Sequence, residues 1–150
     1  MDPKISIIIR TYNRAGLIER AIQSALNQSF QDFEIIVADD GSNDNTKAIV
    51  DRLASKDSRI KFVTQSHSGR PGQPLNLGLQ NSHGRYIAML DSDDEWLPFK
   101  LEKQIKLLES ASSSVGLILC HTIAVNPSGI LEERKVSSAQ NFLEAILLKG

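Results

Sequence analysis

Short apolar runs alternate along the chain with segments of helical periodicity, and this alternation constrains the fold more than any other feature. The apolar runs, rich in β-branched residues, predict strands at 4–10, 33–39, 59–65, 85–90 and 115–125. Apolar residues at three- and four-residue spacing predict helices at 15–28, 46–56, 73–82, 97–111 and 139–150. A turn signal, "NPSG", separates the last strand from a hairpin partner at 130–136. This order predicts an α/β fold with a mostly parallel, Rossmann-like sheet, helices on both faces and a C-terminal β-hairpin.

The length and charge of the chain narrow the classes of protein to which it can belong. Its 150 residues fit one domain, and 41% hydrophobic with 23% charged residues is a composition that supports a core and argues against disorder. The formal net charge is −1, so we expect no nucleic-acid partner, because phosphate backbones are bound mainly by clustered Lys and Arg. No apolar run approaches the roughly 20 residues that span a bilayer. We therefore expect membrane association only through segments outside this sequence.

The single cysteine, Cys120, cannot form an internal disulfide. It lies in the apolar run "VGLILC", which predicts a buried core thiol in a reducing compartment. The start of the chain lacks the pattern of a secretory signal peptide, because only a short apolar run separates Lys4 from Arg10. Together these features predict a cytoplasmic protein, which would meet a membrane at its inner face.

A polar loop follows each of the first four predicted strands. The four loops are "RTYNR", "DDGS", "SHSGRPGQ" and "DSDDE". In a parallel sheet the carboxyl ends of the strands lie at one edge, and the loops there form the ligand crevice. The sequence therefore predicts one ligand site, built from these four loops.

The fourth loop is a cluster of carboxylates directly after the apolar run "YIAML". Asp91, Asp93, Asp94 and Glu95 lie within five positions, and like charges this close repel each other. A divalent cation removes the repulsion, and oxygen ligands favour Mg2+ or Mn2+ over zinc. Such an ion usually completes its coordination with water and substrate phosphates, which suggests a bound diphosphate. The alternative is an acidic helix start stabilised by the helix dipole, and for three aspartates after a core strand we favour the metal.

The other loops offer side chains that suit a nucleotide. Asp39 and Asp40 can accept from a ribose hydroxyl or a base N–H, although a helix N-terminal turn capped by Asp40 or Ser42 explains them equally well. Tyr12 can stack on a base or pack half-buried, and Asn13 can order its loop. Arg70, in "GRPGQ", can contact phosphate, and a mobile loop is the alternative. These alternatives stay open on the residues alone.

Three stretches, taken in order, resemble the family 2 glycosyltransferases, which have a GT-A fold. They are "ISIIIRTYNR", "AIQSALNQSFQDFEIIVADDGSNDNT" and "LNLGLQNSHGRYIAMLDSDDEWLPFKLEKQ", and the resemblance runs from residue 4 to residue 108. It implies an enzyme that transfers a sugar from a nucleotide-sugar, usually UDP-linked, to an acceptor hydroxyl with inversion at the anomeric carbon. It also implies a glycan, lipid or other hydroxyl acceptor and a place in polysaccharide biosynthesis.

The resemblance also implies roles for residues of the first two loops. Thr11 and Tyr12 would help to hold the nucleotide, with Tyr12 against the base. Asp40 would recognise the base, with Asp39 beside it.

The resemblance assigns the metal to the fourth loop. Asp91 and Asp93 form the family's DxD motif, matched here as "DSD". Asp93 would bind Mn2+ or Mg2+ directly, and Asp91 would serve the ribose or the metal shell. The family often has Pro where this chain has Arg10, and Arg-Asn where it has Leu75 and Asn76. The second departure removes a basic contact, for which Arg70 is a substitute.

No general base for the acceptor hydroxyl is found in the sequence. In the family it is a carboxylate well after the DxD motif, in the acceptor-binding half. We therefore expect residues 1–150 to be the donor-binding portion of a truncated GT-A domain, with the acceptor portion beyond residue 150.

Two other functions stay open. One is a nucleotide-binding module without complete catalytic machinery. The other is an enzyme like the sugar-phosphate nucleotidyltransferases, which share the architecture and metal chemistry but have a Gly-rich loop after the first strand, where this chain has "RTYNRAG". A dehydrogenase is excluded because the same loop lacks G-x-G-x-x-G.

Overall fold

A computed structural model describes residues 2–126 and 129–134, and the chain divides into two compact units, Met1–Ile105 and Lys106–Gly150. The strands are Ile5–Thr11 (β1), Phe33–Asp39 (β2), Ile60–Thr64 (β3), Tyr86–Asp91 (β4), Thr122–Asn126 (β5) and Gly129–Arg134 (β6). The helices are Ile18–Leu26 (α1), Thr46–Ala54 (α2), Gly72–Gln80 (α3) and Lys100–Ser110 (α4). No helix of the described residues is long and apolar enough to cross a membrane.

The first unit contains a four-stranded sheet in the order β3-β2-β1-β4, with all three strand pairs parallel. The register places Thr11 opposite Asp39, and Asp39 opposite Thr64. On the other side of β1, Arg10 lies opposite Asp91. The carboxyl ends of all four strands therefore meet at one edge, and the predicted mostly parallel sheet is confirmed.

The two central strands are buried on both faces, which explains their unbroken apolar sequences. On one face a continuous core joins the sheet to α1 and α2 through Ile7, Ile9, Ile35, Val37, Ala21, Ile22, Val50 and Leu53. On the other face α3 lies so close that a Cβ on Gly78 would come within 2.5 Å of Ile8 Cγ2. Each fully buried Ile or Val contributes roughly 1.5–3 kcal/mol. The prediction of helices on both faces is confirmed.

The second unit corrects two predictions. Strands β5 and β6 pair antiparallel, which confirms the C-terminal hairpin, but β5 begins at Thr122 rather than at residue 115. Cys120 lies before β5 and is exposed, so the prediction of a buried thiol is wrong. The physical reason is that an apolar run forms a buried strand only where other strands cover it, and a two-stranded hairpin covers little. The helix predicted at 139–150 lies outside the described residues.

A buried glutamate ties three strands together near the start of β2. Glu34 Oε1 accepts hydrogen bonds from Ser6 Oγ at 2.6 Å and from the His83 N–H at 2.7 Å, and Oε2 accepts from Lys61 Nζ at 2.8 Å. Burial alone would raise the pKa of Glu34, but these hydrogen bonds outweigh it and lower the pKa from 4.5 to about 2. The ionised Glu34 therefore stabilises the folded chain.

We expect Glu34 to contribute to the decrease in the free energy of unfolding at acidic pH. Because the unfolded chain takes up the Glu34 proton near pH 4.5 and the folded chain only near pH 2, the contribution is present above 4.5 and is lost as the pH falls through this window. Urea unfolding between pH 2.5 and pH 6 should show a shallower pH slope for Glu34→Gln than for the wild type. Glu19→Gln, which alters an exposed ion pair with Arg52, is the matched control. Equal slopes in all three proteins would contradict this assignment.

Candidate functional site

The four polar loops lie together at the carboxyl edge of the sheet, as the sequence predicts. Tight turns there need unusual backbone conformations, and Asn13 and Gly41 both have positive φ, at 51° and 75°. At Gly41 an added Cβ would also lie 2.7 Å from the backbone nitrogen of His67. The loops after β1, β2 and β3 are therefore packed against one another rather than separate.

Asp39 organises the loop after β2. Its carboxylate accepts hydrogen bonds from the N–H groups of Gly41, at 3.1 Å, and Ser42, at 2.9 Å. It also accepts from Thr64 Oγ1 at 2.9 Å, and from Ser42 Oγ. Asp39 is buried. The Asp39 side chain thus joins the ends of β2 and β3 and stabilises the turn that follows β2.

Asn13 joins the loop after β1 to the loop after β2. Its Oδ1 accepts from the Asn43 N–H at 2.9 Å, and its own N–H donates to Ser42 Oγ at 2.8 Å. Next to it, the Arg14 N–H donates to Thr46 Oγ1 at 3.0 Å. These contacts give Asn13 the loop-ordering position that the sequence suggests.

Asp40 holds the loop after β3. Its carboxylate accepts from Gln65 Nε2 at 2.7 Å, Ser68 Oγ at 2.8 Å and the N–H of Gly69 at 3.1 Å. His67 Nδ1 lies 2.9 Å from Oδ2. Burial would raise the pKa of Asp40, but the hydrogen bonds from Gln65, Ser68 and Gly69 lower it to about 2. The carboxylate is therefore ionised and is already surrounded by donors of the 65–69 loop.

Two other predicted nucleotide residues lie on the same side of the edge, and Arg70 lies in the loop after β3. Tyr12 is 38% exposed, and its ring stacks on the His67 ring with 4.0 Å between centroids and 16° between planes. Thr11 is buried, and its Oγ1 is the one buried side-chain polar atom of the described residues that has no hydrogen-bond partner. Arg70 is exposed, and its hydrogen bonds with other described residues involve its backbone groups, which bind Ser68 Oγ and the Gln73 N–H. Its predicted phosphate contact stays a prediction.

The acidic cluster lies on the other side of the edge. Asp91 Oδ1 accepts from Arg10 Nε at 2.7 Å, and both side chains are close to half exposed. The exposed Asp93 and Asp94 carboxylates accept no hydrogen bond from any described residue. Burial, and then the charges of Asp91 and Asp93, raise the pKa of Asp94. The repulsion expected from the sequence is therefore present and only partly offset by arginine.

These carboxylates fit a hard divalent ion that is completed by a ligand, rather than a closed metal cage. The described residues contain no group of three or more His, Cys, Asp and Glu side chains placed to hold a metal. Mg2+ and Mn2+ are commonly held by one or two carboxylates together with phosphate oxygens and water. The open oxygens of Asp93 and Asp94, in a repulsive cluster, match that donor set.

A cleft of about 360 Å3 opens beside the acidic cluster. Leu75 and Trp96 contribute apolar walls, and Arg10, Asp91 and Asp94 contribute charge. Small-molecule sites usually combine apolar walls with a few converging polar groups. The cleft thus places apolar walls directly beside the carboxylates.

Sequence analysis missed the side chains that hold the acidic loop in place. Gln28 is buried at 2% exposure; its Nε2 donates to the Leu97 carbonyl at 2.9 Å and its Oε1 accepts from the Leu101 N–H at 3.0 Å. Ser24 Oγ accepts from the Trp96 N–H at 3.1 Å. The available signal was that Gln28 continues the helical spacing of the buried face of α1, where a polar residue needs partners.

Arg20 was also missed, and no spacing in the sequence connects it with the acidic loop. Its Nε pairs with Glu95 at 2.7 Å, and its Nη2 donates to the Asp93 carbonyl at 3.0 Å. Arg20 therefore stabilises the backbone that presents Asp93 without contacting the Asp93 carboxylate.

Similar proteins of known sequence are glycosyltransferases. A glucosyltransferase of Campylobacter jejuni, named as GalNAc(5)-diNAcBac-PP-undecaprenol beta-1,3-glucosyltransferase, is 47% identical over 96 residues, which are 63% of this chain and 31% of that enzyme. The Escherichia coli UDP-Glc:alpha-D-GlcNAc-diphosphoundecaprenol beta-1,3-glucosyltransferase WfgD is 41% identical over 107 residues, which are 71% of this chain and 42% of that enzyme. The chain thus spans less than half the length of each of these relatives.

Similar solved structures share the fold. The structure of S. aureus TarS 1-349 in complex with UDP-GlcNAc has a TM-score of 0.67 and 32% identity, covering 71% of this chain and 31% of that one. The mannosyltransferase PcManGT from Pyrobaculum calidifontis, in complex with GDP-Man and Mn2+, has a TM-score of 0.72 and 26% identity, covering 85% of this chain and 37% of that one. These likenesses confirm the GT-A type of α/β fold.

The family model described as glycosyl transferase family 2 matches residues 6–144, nearly the whole chain. The resemblance drawn from the sequence motifs is therefore confirmed. This chain belongs to glycosyl transferase family 2.

Proposed function

We propose that the chain is the donor-binding portion of an inverting glycosyltransferase that takes its sugar from a nucleotide-diphospho-sugar, with UDP as the first choice of nucleotide. The single observation that carries this proposal is the pairing of two loop systems at one sheet edge. One is a rigid set of loops around Asp39 and Asp40, and the other is an open acidic cluster at Asp91, Asp93 and Asp94. The first loop system suits the base of a nucleotide-sugar, and the second suits its charged diphosphate.

In this proposal Asp93 holds Mn2+ or Mg2+ directly, and Asp91 serves the metal shell or the ribose. When bound, the ion supplies Lewis-acid stabilisation of the negative charge that develops on the leaving diphosphate. Arg10 contacts Asp91 through Nε and fixes its carboxylate, while Arg20 and Glu95 fix the backbone that carries Asp93. The Asp91 carboxylate and the backbone of Asp93 are thereby held before the donor arrives.

In this proposal the loops after β1, β2 and β3 supply the contacts to the nucleotide. Tyr12 lies against the base, and Asp40 with the neighbouring Asp39 forms the polar boundary that recognises it. Thr11 helps to hold the nucleotide, and Arg70 contacts the phosphates. The buried, donor-saturated carboxylates support rigid recognition, because a loop that is already ordered loses little entropy when it binds.

We propose a lipid-linked glycan, or another hydroxyl compound, as the acceptor. Support comes from the relatives whose names specify diphosphoundecaprenol-linked acceptors. We propose accordingly that the whole protein works in the cytoplasm, at the inner face of the membrane. The general base and the acceptor-binding portion belong to residues beyond residue 150 in this proposal.

Titration calorimetry with UDP, GDP and dTDP, each with and without Mn2+, tests the donor site. We expect UDP to bind with micromolar to submillimolar affinity when Mn2+ is present and at least about tenfold more weakly after EDTA treatment. Heat of binding with GDP or dTDP but not with UDP would support the donor site and change the nucleotide assigned to it. No heat with any nucleotide, with or without metal, would contradict the proposal.

A turnover assay separates an enzyme from a binding module. Release of free sugar from a panel of UDP-sugars, measured for a longer chain that includes the acceptor portion, is expected for the enzyme. Nucleotide binding without sugar release or transfer in that longer chain would support the module.

A further inference from the structure

We propose that His67 is a positioning residue that fixes the ring of Tyr12 as a one-sided platform for the nucleotide base. The proposal rests on the proposed function and adds a residue to it. It predicts that His67 contributes to the affinity for the base and not to the affinity for the diphosphate.

The His67 imidazole is fixed by Asp40. Its Nδ1 lies 2.9 Å from Asp40 Oδ2 and 3.0 Å from the Asp40 carbonyl oxygen. Both of these atoms are acceptors, so Nδ1 carries a hydrogen and donates. Because Asp40 is buried and bound by several other donors, it provides a fixed anchor for the ring.

The His67 backbone is fixed as well. A Cβ on Gly41 would come within 2.7 Å of the His67 nitrogen and 3.2 Å of its Cα, so the turn after β2 packs directly on this residue. The following N–H groups, of Ser68 and Gly69, donate to Asp40 at 3.1 Å each. The imidazole therefore has a defined position before any ligand binds.

The fixed imidazole covers one face of Tyr12. The two rings are nearly parallel, 4.0 Å apart, and Tyr12 is still 38% exposed. An exposed tyrosine normally loses side-chain freedom when it binds, which weakens binding. With one face of the ring held by His67, that loss is reduced, and the remaining face is available to stack on a base.

The test compares a ligand that has a base with one that has none. Affinities of Mn2+–UDP and Mn2+–pyrophosphate are measured by calorimetry for the wild type, His67→Ala, His67→Gln and His67→Phe. We expect His67→Ala to weaken UDP binding by about tenfold, in the range that base stacking provides, and to leave pyrophosphate binding within twofold. His67→Phe, which keeps an aromatic ring but cannot donate to Asp40, should recover part of the loss, and His67→Gln, which has no ring, should not.

A double-mutant cycle with Tyr12 separates positioning from a general effect on the loop. In a Tyr12→Ala background the His67→Ala change should cause less than a twofold further loss of UDP affinity. Thermal melting of every variant checks the fold, and His67→Gln, which also lacks the ring, serves as the readout should His67→Ala not fold.

Three results would overturn the proposal. They are unchanged or tighter UDP binding by His67→Ala, an equal loss for UDP and pyrophosphate, or a full loss that persists without Tyr12. Tighter binding would identify His67 as a side chain that the base displaces. A wild-type chain that binds neither ligand would overturn this proposal together with the proposed function, whereas normal wild-type binding with a silent His67→Ala overturns this proposal alone.

Discussion

Replacing Asp93 by asparagine is expected to weaken Mn2+-dependent UDP binding by about 100-fold, equivalent to about 2.7 kcal/mol. The substitution keeps the shape of the side chain but removes the charge that a hard divalent ion requires. Because the exposed Asp93 carboxylate accepts no hydrogen bond from a described residue, the fold should be unaffected. Calorimetry at saturating Mn2+ measures the affinity, and thermal melting checks the fold.

The matched control is Asp51→Asn, which removes an equally exposed carboxylate from a surface pair with Lys47 on α2. Its UDP affinity should remain within twofold of the wild type. Wild-type affinity and wild-type Mn2+ dependence in Asp93→Asn would contradict the role of Asp93.

Gly84→Ala is expected to lower the free energy of unfolding by about 3 kcal/mol, the largest stability effect that we expect of a single methyl group in this chain. The added Cβ would lie 2.3 Å from the Ser6 nitrogen, 2.6 Å from the Ile5 carbonyl carbon and 2.7 Å from Ser6 Oγ. Two of these atoms belong to the backbone of β1. Because β1 is paired with β2 on one side and with β4 on the other, its backbone has little room to move. The Gly84 N–H would also lose its 2.7 Å hydrogen bond to Ser6 Oγ.

Urea denaturation at neutral pH measures this effect, with Gly16→Ala as the control. No atom lies within 4 Å of a Cβ added to Gly16, so this variant should stay within about 0.5 kcal/mol of the wild type. Equal denaturation midpoints for the two variants would show that the β1 backbone accommodates the methyl group.

The sequence predicts the parallel sheet well because burial on both faces leaves an unmistakable local pattern. The run at 33–39 matches β2 to the residue, and β1 and β4 differ from their predicted bounds by a single position at each end. Helix starts are less accurate. The helix predicted from residue 15 begins at Ile18, because the Leu17 and Ile18 N–H groups first close a turn onto the Arg14 carbonyl. The error at 115–121 is of another kind, since strand formation there depends on distant partners that local sequence does not reveal.

The position of the site at the sheet edge was predictable from the sequence, but the hydrogen-bond partners of its side chains were not. Four polar loops after four parallel strands must gather at one edge. Apart from Gly41 and Ser42, however, the partners of Asp39 and Asp40 lie 25 or more residues away in the 64–69 segment, and Arg10 and Asp91 are 81 residues apart. Hydrogen bonds across such distances depend on the final register of the sheet. For the same reason Arg20 has no signal in the sequence, and the helical spacing of Gln28 indicates only that this side chain needs partners.

The carboxylates at the sheet edge divide into two physical classes. Asp39 and Asp40 are buried and surrounded by donors, so they shape loops, and the hydrogen bonds to Asp40 lower its pKa. Asp93 and Asp94 are exposed, repel one another and accept no hydrogen bond from the described residues. The first class is already satisfied by protein donors, whereas the second is stabilised when a cation arrives. This difference is the basis for assigning the nucleotide to one side and the metal to the other.

Pulsed electron paramagnetic resonance of Mn2+ in the ternary complex with UDP tests the central claim, that one ion joins Asp93 to the donor diphosphate. The protein is labelled with carbon-13 at the aspartate carboxylates. We expect the Mn2+ spectrum to show phosphorus-31 and carbon-13 hyperfine couplings together, with the strongest carbon-13 coupling absent in Asp93→Asn. A bound Mn2+–UDP complex with phosphorus couplings and no carbon-13 coupling in the wild-type chain would contradict the claim.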